Sequence, residues 1–341
     1  MRDQPATTDD LDKLVTEDND NGRPTLGWLS IIQWTIVIAV AVALTWTVWK
    51  SWNQLAEQPI VWSEFRWPYL LVAMFCYGCT MSLASVVWRQ ILLSLGCRIN
   101  FVEAFRAFVY SQLAKYIPGK AMVIVVRCML VCGNPKKVSK PVGPVVASSF
   151  IETMMFILVG AQLGCVGIYF LPAIPSEVRW TAIVVLVIFG LLTLPPVFAQ
   201  LTSLASRLKR KSQSSASVFR LKWTTYMLAW GLATCAWVFN GAAMWFVLAA
   251  LQPKEIVVSD YFLALTTISL ATVAGFASML PGGLGVRELV MIPLLVPRFS
   301  ITTAVAAAIF SRLIGVVAEV AIAAIIKLSS RRAEVIPDQQ V

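Results

Sequence analysis

The residues that could do chemistry cluster around two proline-glycine breaks in otherwise apolar sequence. A helix that starts after such a break presents free N–H groups and the positive end of its dipole, and both attract anions. Basic side chains nearby add formal charge, and glycines let a ligand approach the backbone. We therefore predict two anion-binding tips. The first comprises Lys115, Pro118, Gly119, Lys120 and Arg127, and the second comprises Pro281, Gly282, Gly283, Gly285, Arg287 and Glu288.

Residue types exclude much other chemistry. The 341 residues contain no histidine, which removes histidine-based triads, the common zinc sites and haem ligation. We predict no catalytic residue, no metal site and no cofactor. Hydrophobic residues make up 58% of the chain and charged residues 13%, which is about half the charged share of a soluble domain. The fold class predicted is an all-α polytopic membrane protein, because the long apolar runs lack the strict alternation of a membrane barrel.

Six apolar runs are about 20 residues or longer, the length that crosses a bilayer. They cover residues 27–49, 68–87, 142–171, 181–199, 223–251 and 301–326. Two further apolar regions, 101–131 and 260–296, contain the breaks and carry charges. We predict that each is a re-entrant hairpin, because irregular backbone at membrane depth must line a cavity or be buried in protein. A kinked single span is the alternative for each region.

Basic loops set the expected orientation through the positive-inside rule. The loop after the fourth run contains Lys209, Arg210 and Lys211, so it is predicted to be cytoplasmic. Because the basic residues lie in such loops, the net charge of +10 does not indicate nucleic-acid binding. Six spans and two hairpins then place both termini in the cytoplasm, in a multi-pass protein of the cell (inner) membrane. Residues 1–26 are predicted to be a disordered acidic tail, residues 27–330 a single transmembrane domain, and residues 331–341 a second tail.

The domain contains an internal repeat with halves at about residues 68–171 and 223–327. Each half consists of a span, a broken region and a span, and Tyr-Ile-Pro-Gly at 116–119 aligns with Met-Leu-Pro-Gly at 279–282. The predicted orientations of the halves are opposite, so the repeat is of the inverted type. In transporters, broken segments at corresponding positions of such repeats indicate a binding site near the membrane midplane.

Two opposite charges, Glu152 and Arg312, lie inside long apolar runs. Glu152 follows Pro118 by 34 residues and Arg312 follows Pro281 by 31, so they hold equivalent repeat positions. A bare ion at the bilayer centre costs about 3 kcal/mol on insertion scales. We therefore expect Glu152 and Arg312 to face each other, or a water-filled cavity, across the repeat axis. A purely structural ion pair that fixes helix register is the alternative.

The string Pro-Gly-Gly-Leu-Gly-Val-Arg-Glu at 281–288 resembles the signature of the flippase-like membrane family, also described as the transmembrane region of lysylphosphatidylglycerol synthase. The segment 115–120 resembles that family's earlier Tyr-x-Pro-Gly element, and Arg127 stands where a basic residue often follows. Arg312-Leu313 matches a late Arg-Leu pair, whereas Glu152-Thr153 lacks the arginine of the family's Glu-Arg. The resemblance covers roughly residues 60–330.

The resemblance implies a lipid translocase, which moves a phospholipid or a lipid-linked headgroup between leaflets. On this hypothesis the two tips hold the headgroup phosphate, and the lipid partner is anionic, aminoacylated or glycan-linked. In two-part synthases of this family a soluble domain transfers the aminoacyl group. The chain ends about 15 residues after the last predicted span, so we do not expect that activity here. A separate lipid-modifying enzyme is a candidate partner.

Several assignments stay open on sequence alone. The tip lysines fit a phosphate site, but they also fit a solvated hairpin mouth or contact with anionic lipid. Arg287 and Glu288 could neutralise each other, and Glu288 or Glu152 could bind a headgroup amine. A lipid-modifying enzyme with Glu152 as acid or base, and a carrier of small solutes or ions, are the alternative functions.

Overall fold

The computed structural model describes residues 65–116, 122–133, 140–171, 175–192, 197, 200, 222–252, 254–278, 280–283 and 285–335. Within these ranges the chain forms nine α-helices and no strand. The predicted span 27–49, the N-terminal tail and Pro118, Gly119 and Lys120 of the first tip lie outside the described residues.

The first five helices are α1 (Trp67–Ser94), α2 (Phe101–Leu113), α3 (Met122–Cys132), α4 (Val142–Phe170) and α5 (Ser176–Leu192). The remaining four are α6 (Trp223–Leu251), α7 (Asp260–Ala277), α8 (Val286–Leu295) and α9 (Ile301–Val335). Helices α2 and α3 are the arms of the first helical hairpin, and α7 and α8 are the arms of the second. A short 3₁₀ turn lies between the two arms of each hairpin. From here on, the first tip means the described turn Ala114–Tyr116 after α2, and the second tip means the turn Pro281–Gly283 between α7 and α8.

Among the described helices, α1, α4, α6, α7 and α9 are long and apolar enough to cross a membrane. Four of these correspond to predicted spans, and the chain is a polytopic helical membrane protein. The exact scheme of six spans and two hairpins is not reproduced, because α7 was expected to be only a hairpin arm. Its 18 residues measure about 27 Å at 1.5 Å per residue, close to the thickness of the hydrocarbon core. The 10 residues of α8 reach only about half of that distance.

Two described helices differ in extent from the predicted segments. Helix α5 has 17 residues and covers only part of the predicted span 181–199. Helix α9 continues to Val335, so the expected C-terminal tail begins as helix.

Local sequence explains several helix boundaries. Helix α1 ends at Ser94, and the chain turns at Gly96, whose φ of +83° is accessible to glycine without strain. There the N–H of Cys97 donates to the Leu92 carbonyl at 3.2 Å and that of Gly96 to the Leu93 carbonyl at 3.0 Å, a Schellman motif. Helix α2 begins where the Asn100 side chain accepts the N–H of Glu103 at 2.7 Å.

The two halves of the described domain share one order of elements. Helices α1 to α4 form a long helix, a first arm, a tip, a second arm and a long helix, and α6 to α9 repeat this order. Neighbours repeat as well: α1 packs along its counterpart α6, α4 packs on α7, and α9 packs on α2. The same order of elements and the same neighbours thus occur twice within the described residues.

Small residues on α4 allow helices of the two halves to approach closely. A Cβ at Gly164 would lie 2.5 Å from Cδ2 of Leu270, so a larger side chain at this position would require the Leu270 side chain to shift. Close approach through small residues is a common way to pack membrane helices, where no hydrophobic effect drives association. The tight contact fixes α7, which carries the second tip, against the first half.

Candidate functional site

The two hairpin tips contact each other, and a cavity of about 40 Å³ lies beside them. Its lining comes from both tips and from α1, α6, α7, α8 and α9. The lining residues are Tyr77, Lys115, Asn240, Ala243, Met244, Val247, Ile268, Gly282, Arg287, Ser311, Arg312, Ile314 and Gly315. Several of them, such as Tyr77 and Asn240, lie well inside long helices, so the cavity lies at membrane depth.

Three cationic side chains reach this cavity from three different elements: Lys115 from the first tip, Arg287 from α8 and Arg312 from α9. Arg312 has two defined partners. Its Nη1 lies 2.5 Å from Oε1 of Glu288, and its Nη2 donates to the Gly282 carbonyl at 2.8 Å. These bonds tie α9 to the second tip and to the start of α8.

A second ion pair joins the first tip to α9. Lys115 Nζ pairs with Oε1 of Glu319, which also accepts a hydrogen bond from the Tyr77 hydroxyl at 2.5 Å. Glu319 is fully buried, and its Oε2 has no hydrogen-bond partner among the described residues. The carboxylate therefore receives both donors on one oxygen.

A third ion pair lies within the first half and away from the cavity lining. Arg127 on α3 places Nη1 3.0 Å from Oε2 of Glu152 on α4, and its Nε donates to the Ser111 hydroxyl at 3.0 Å. The guanidinium lies over the rings of Trp88 and Phe108, 4.7 and 4.6 Å from their centroids. Hydrogen bonds, charge and ring faces thus compensate for complete burial of this arginine.

The prediction that Glu152 and Arg312 face each other is wrong. Each pairs instead with the second arm of the hairpin in its own half, Glu152 with Arg127 and Arg312 with Glu288. The physical reason is local packing: α3 lies against α4 and α8 against α9, so these short arms supply the nearest opposite charge. Of the two residues, only Arg312 reaches the cavity.

Each hairpin also has an ion pair at its base, between the start of the first arm and the residue just before the following long helix. Lys140, just before α4, pairs with Glu103 at the start of α2 at 2.5 Å. Arg298, just before α9, pairs with Asp260 at the start of α7 through Nε–Oδ1 at 3.0 Å and Nη2–Oδ2 at 3.2 Å. The sequence separations are 37 and 38 residues, so this pair also recurs at equivalent places in the two halves.

The glycines of the second tip have different surroundings. Gly282 lines the cavity and has a φ of +57°. Gly283, with a φ of +65°, packs on α7, where a Cβ would lie 2.8 Å from Cα of Gly275. Gly285 is buried with a φ of +78° and precedes α8. Neither Gly283 nor Gly285 is part of the cavity lining, so close packing and chain reversal explain their residue type.

The structure therefore brings together Lys115, Gly282, Arg287 and Arg312 of the predicted site, with Glu288 beside them. Arg127 and Glu152 form a separate cluster. Pro281 begins the second tip. Sequence reasoning missed Glu319 and Tyr77. Glu319 follows Arg312 by two helical turns in the same apolar run, which was the available signal.

Within the described residues, no group of three or more histidine, cysteine, aspartate or glutamate side chains could hold a metal ion. The polar groups that the structure places at the site are those of its arginines, its lysine, its carboxylates and the Gly282 carbonyl group.

The fold and site define a class: a helical membrane protein in which two broken hairpins meet at a charged intramembrane cavity. Residues 32–323 match the family model described as the lysylphosphatidylglycerol synthase TM region. The chain belongs to this family, a membrane domain linked to lipid handling and flippase-like activity, and the predicted resemblance is confirmed. A search of curated proteins gave no match.

Proposed function

We propose that this protein is a lipid translocase, which moves a phospholipid or a lipid-linked headgroup between leaflets and binds the headgroup phosphate at the hairpin tips. One observation carries the proposal: Lys115, Arg287 and Arg312 converge from three elements on a single cavity among spanning helices. Three cations at membrane depth are costly unless they bind something anionic. In the present conformation Glu319 pairs with Lys115 and Glu288 with Arg312, and a phosphate would replace these carboxylates.

The small cavity implies that translocation requires movement of the tips. A volume of about 40 Å³ holds water, whereas pockets for small-molecule ligands are roughly 300–1,000 Å³. The bonds that hold the tips in place are the Lys115–Glu319 pair and the Arg312 bonds to Glu288 and Gly282. In this proposal the phosphate competes with these carboxylates for Lys115 and Arg312. When the phosphate binds the two cations, the bonds that hold the tips break and the cavity opens.

The proposal also includes an inverted repeat. The halves share element order, and both the arm-to-helix pairs and the hairpin-base pairs occur once in each half. If the halves have opposite orientations, one hairpin opens to each side of the membrane. The contacting tips then separate the cytoplasmic part of the headgroup path from the outer part. With both termini in the cytoplasm, the first hairpin opens inward and the second outward.

The proposal does not include enzymatic activity. Glu152, the acid that an enzymatic mechanism would have used, is held by Arg127 and is absent from the cavity lining. Glu288 and Glu319, which lie beside the cavity but are not part of its lining, are both paired with cations.

Liposome reconstitution tests the proposal. Purified protein is incorporated into vesicles that contain phosphatidylglycerol or phosphatidylcholine labelled with a fluorophore that dithionite quenches in the outer leaflet. We expect labelled phosphatidylglycerol to cross faster than labelled phosphatidylcholine. The substitution Arg287→Gln should slow the anionic lipid more than the zwitterionic lipid. The absence of lipid movement together with altered lipid mass would support an enzyme, and solute flux without lipid movement would support a carrier.

A further inference from the structure

Glu319 is completely buried, whereas its cationic partner Lys115 faces the cavity. The exposure of Glu319 is 0%, and the Lys115 side chain is 29% exposed and belongs to the cavity lining. Glu319 itself is not part of the lining. Lys115 and Tyr77 therefore lie between the carboxylate and the cavity.

The hydrogen bonding of this carboxylate is one-sided. Oε1 receives both the Lys115 ammonium and the Tyr77 hydroxyl, and Oε2 is buried without a hydrogen-bond partner among the described residues. A buried carboxylate oxygen that lacks a donor is energetically costly, and binding a proton removes the charge. The charge of this carboxylate is therefore incompletely compensated, and Oε1, which Lys115 contacts, is the atom that can receive a proton from the cavity side.

The charged and titratable groups around Glu319 come from three of the helices that pack on α9, from the first tip and from α9 itself. They are Tyr77 from α1, Tyr110 from α2, Lys115 from the first tip and Arg287 from α8, together with Arg312 on α9 itself. Helix α6 contributes the neutral Asn240. Cations prevail in this set, and Glu319 and Glu288 are its carboxylates.

We propose that Glu319 is the proton-binding site that couples this protein to protons, and that proton binding releases Lys115 to the anionic headgroup. This inference rests on the proposed function. Lys115 passes one proton from Nζ to Glu319 and takes another from cavity water, so the net change is one proton bound. The neutral carboxyl group no longer holds the lysine, and the cavity gains one positive charge where the phosphate binds.

The consequence is positive linkage between a proton and an anionic lipid. Linkage is reciprocal, so a bound proton strengthens lipid binding and bound lipid causes proton uptake. For one linked proton, the affinity for anionic lipid changes by at most tenfold per pH unit and rises as the pH falls.

Proton uptake on lipid binding is the direct test. Purified protein in weakly buffered detergent is mixed with short-chain phosphatidylglycerol, and the pH change is recorded. The wild type should take up protons, up to one per bound lipid. Glu319→Gln, which keeps the size of the side chain but cannot ionise, should bind the lipid without proton uptake. Glu177→Gln is the control, because Glu177 is exposed at the start of α5.

A second variant keeps the inference testable if Glu319→Gln does not fold. Lys115→Gln removes the cation that proton binding is proposed to release, so lipid binding should weaken and should no longer be accompanied by proton uptake. Lipid binding by the wild type without proton uptake, or the same uptake in Glu319→Gln, would overturn the inference. Absence of lipid translocation by the wild type would instead contradict the proposed function, so the two failures are distinguishable.

Discussion

Arg127 and Glu152 form a buried ion pair 25 residues apart in the chain, and Arg312 and Glu288 form its counterpart 24 residues apart. In the first half the arginine lies on the short arm and the acid on the long helix, whereas in the second half the polarity is reversed. The two ion pairs thus occupy corresponding places in the order of elements, with the charges exchanged. The first pair is almost fully buried, and the second lies at the cavity.

Neutralising one member of the first pair should destabilise the protein. Glu152→Gln leaves Arg127 buried without its countercharge, and Arg127→Gln leaves Glu152 in the same situation. We expect each to cost on the order of 3–5 kcal/mol, and the double variant to recover part of the loss. The measurement is the midpoint of unfolding in detergent, with tryptophan fluorescence as the signal.

A double-mutant cycle provides the control for that prediction. The effects of Glu152→Gln and Arg127→Gln should be strongly non-additive, because the side chains are bonded. The effects of Glu152→Gln and Arg312→Gln should add, because these residues have different partners. Strong coupling between Glu152 and Arg312, and none between Glu152 and Arg127, would contradict the pairing described above.

Much of the fold could be predicted from the sequence, because the bilayer demands long apolar helices and a Pro-Gly step interrupts them. The partners of the buried charges could not. Repeat alignment identifies Glu152 and Arg312 as equivalent, but equivalence does not imply contact, since each packs against a different short arm. Helix α7 was expected to be a hairpin arm because Pro281 interrupts the apolar region. The break instead follows an 18-residue helix that is apolar enough on average for a nearly complete crossing.

Gly283 should tolerate no side chain. In Gly283→Ala, a Cβ would lie 2.8 Å from backbone Cα of Gly275, and the φ of +65° disfavours any L residue by about 1–2 kcal/mol. We expect displacement of the second tip, a lower unfolding midpoint and slower lipid translocation.

Gly143→Ala is the matched control, because Gly143 is exposed near the start of α4 and a Cβ there would have no neighbour within 4 Å. Equal midpoints for Gly283→Ala and Gly143→Ala would refute the packing role of Gly283.

The orientation of the halves can be tested by cysteine labelling. In a background without the seven native cysteines, single cysteines are introduced near Lys209 and near Lys254. A membrane-impermeant maleimide should label the first position only from the cytoplasmic side, as the basic loop requires, and the second only from outside. Labelling near Lys209 from outside would contradict both the orientation and the inverted repeat.

The most direct test of the central claim compares two ion-paired arginines in the vesicle assay. Arg312 lines the cavity and binds Glu288 and the Gly282 carbonyl, whereas Arg298 binds Asp260 at the base of the second hairpin. With equal amounts of folded, reconstituted protein, Arg312→Gln should slow the crossing of labelled phosphatidylglycerol by about tenfold or more, as expected for loss of a charge-assisted hydrogen bond to the headgroup. Arg298→Gln should retain the wild-type rate to within about twofold, because Arg298 is not part of the cavity lining. A wild-type rate in Arg312→Gln, or equal losses in both variants, would contradict a headgroup path through the tip cavity.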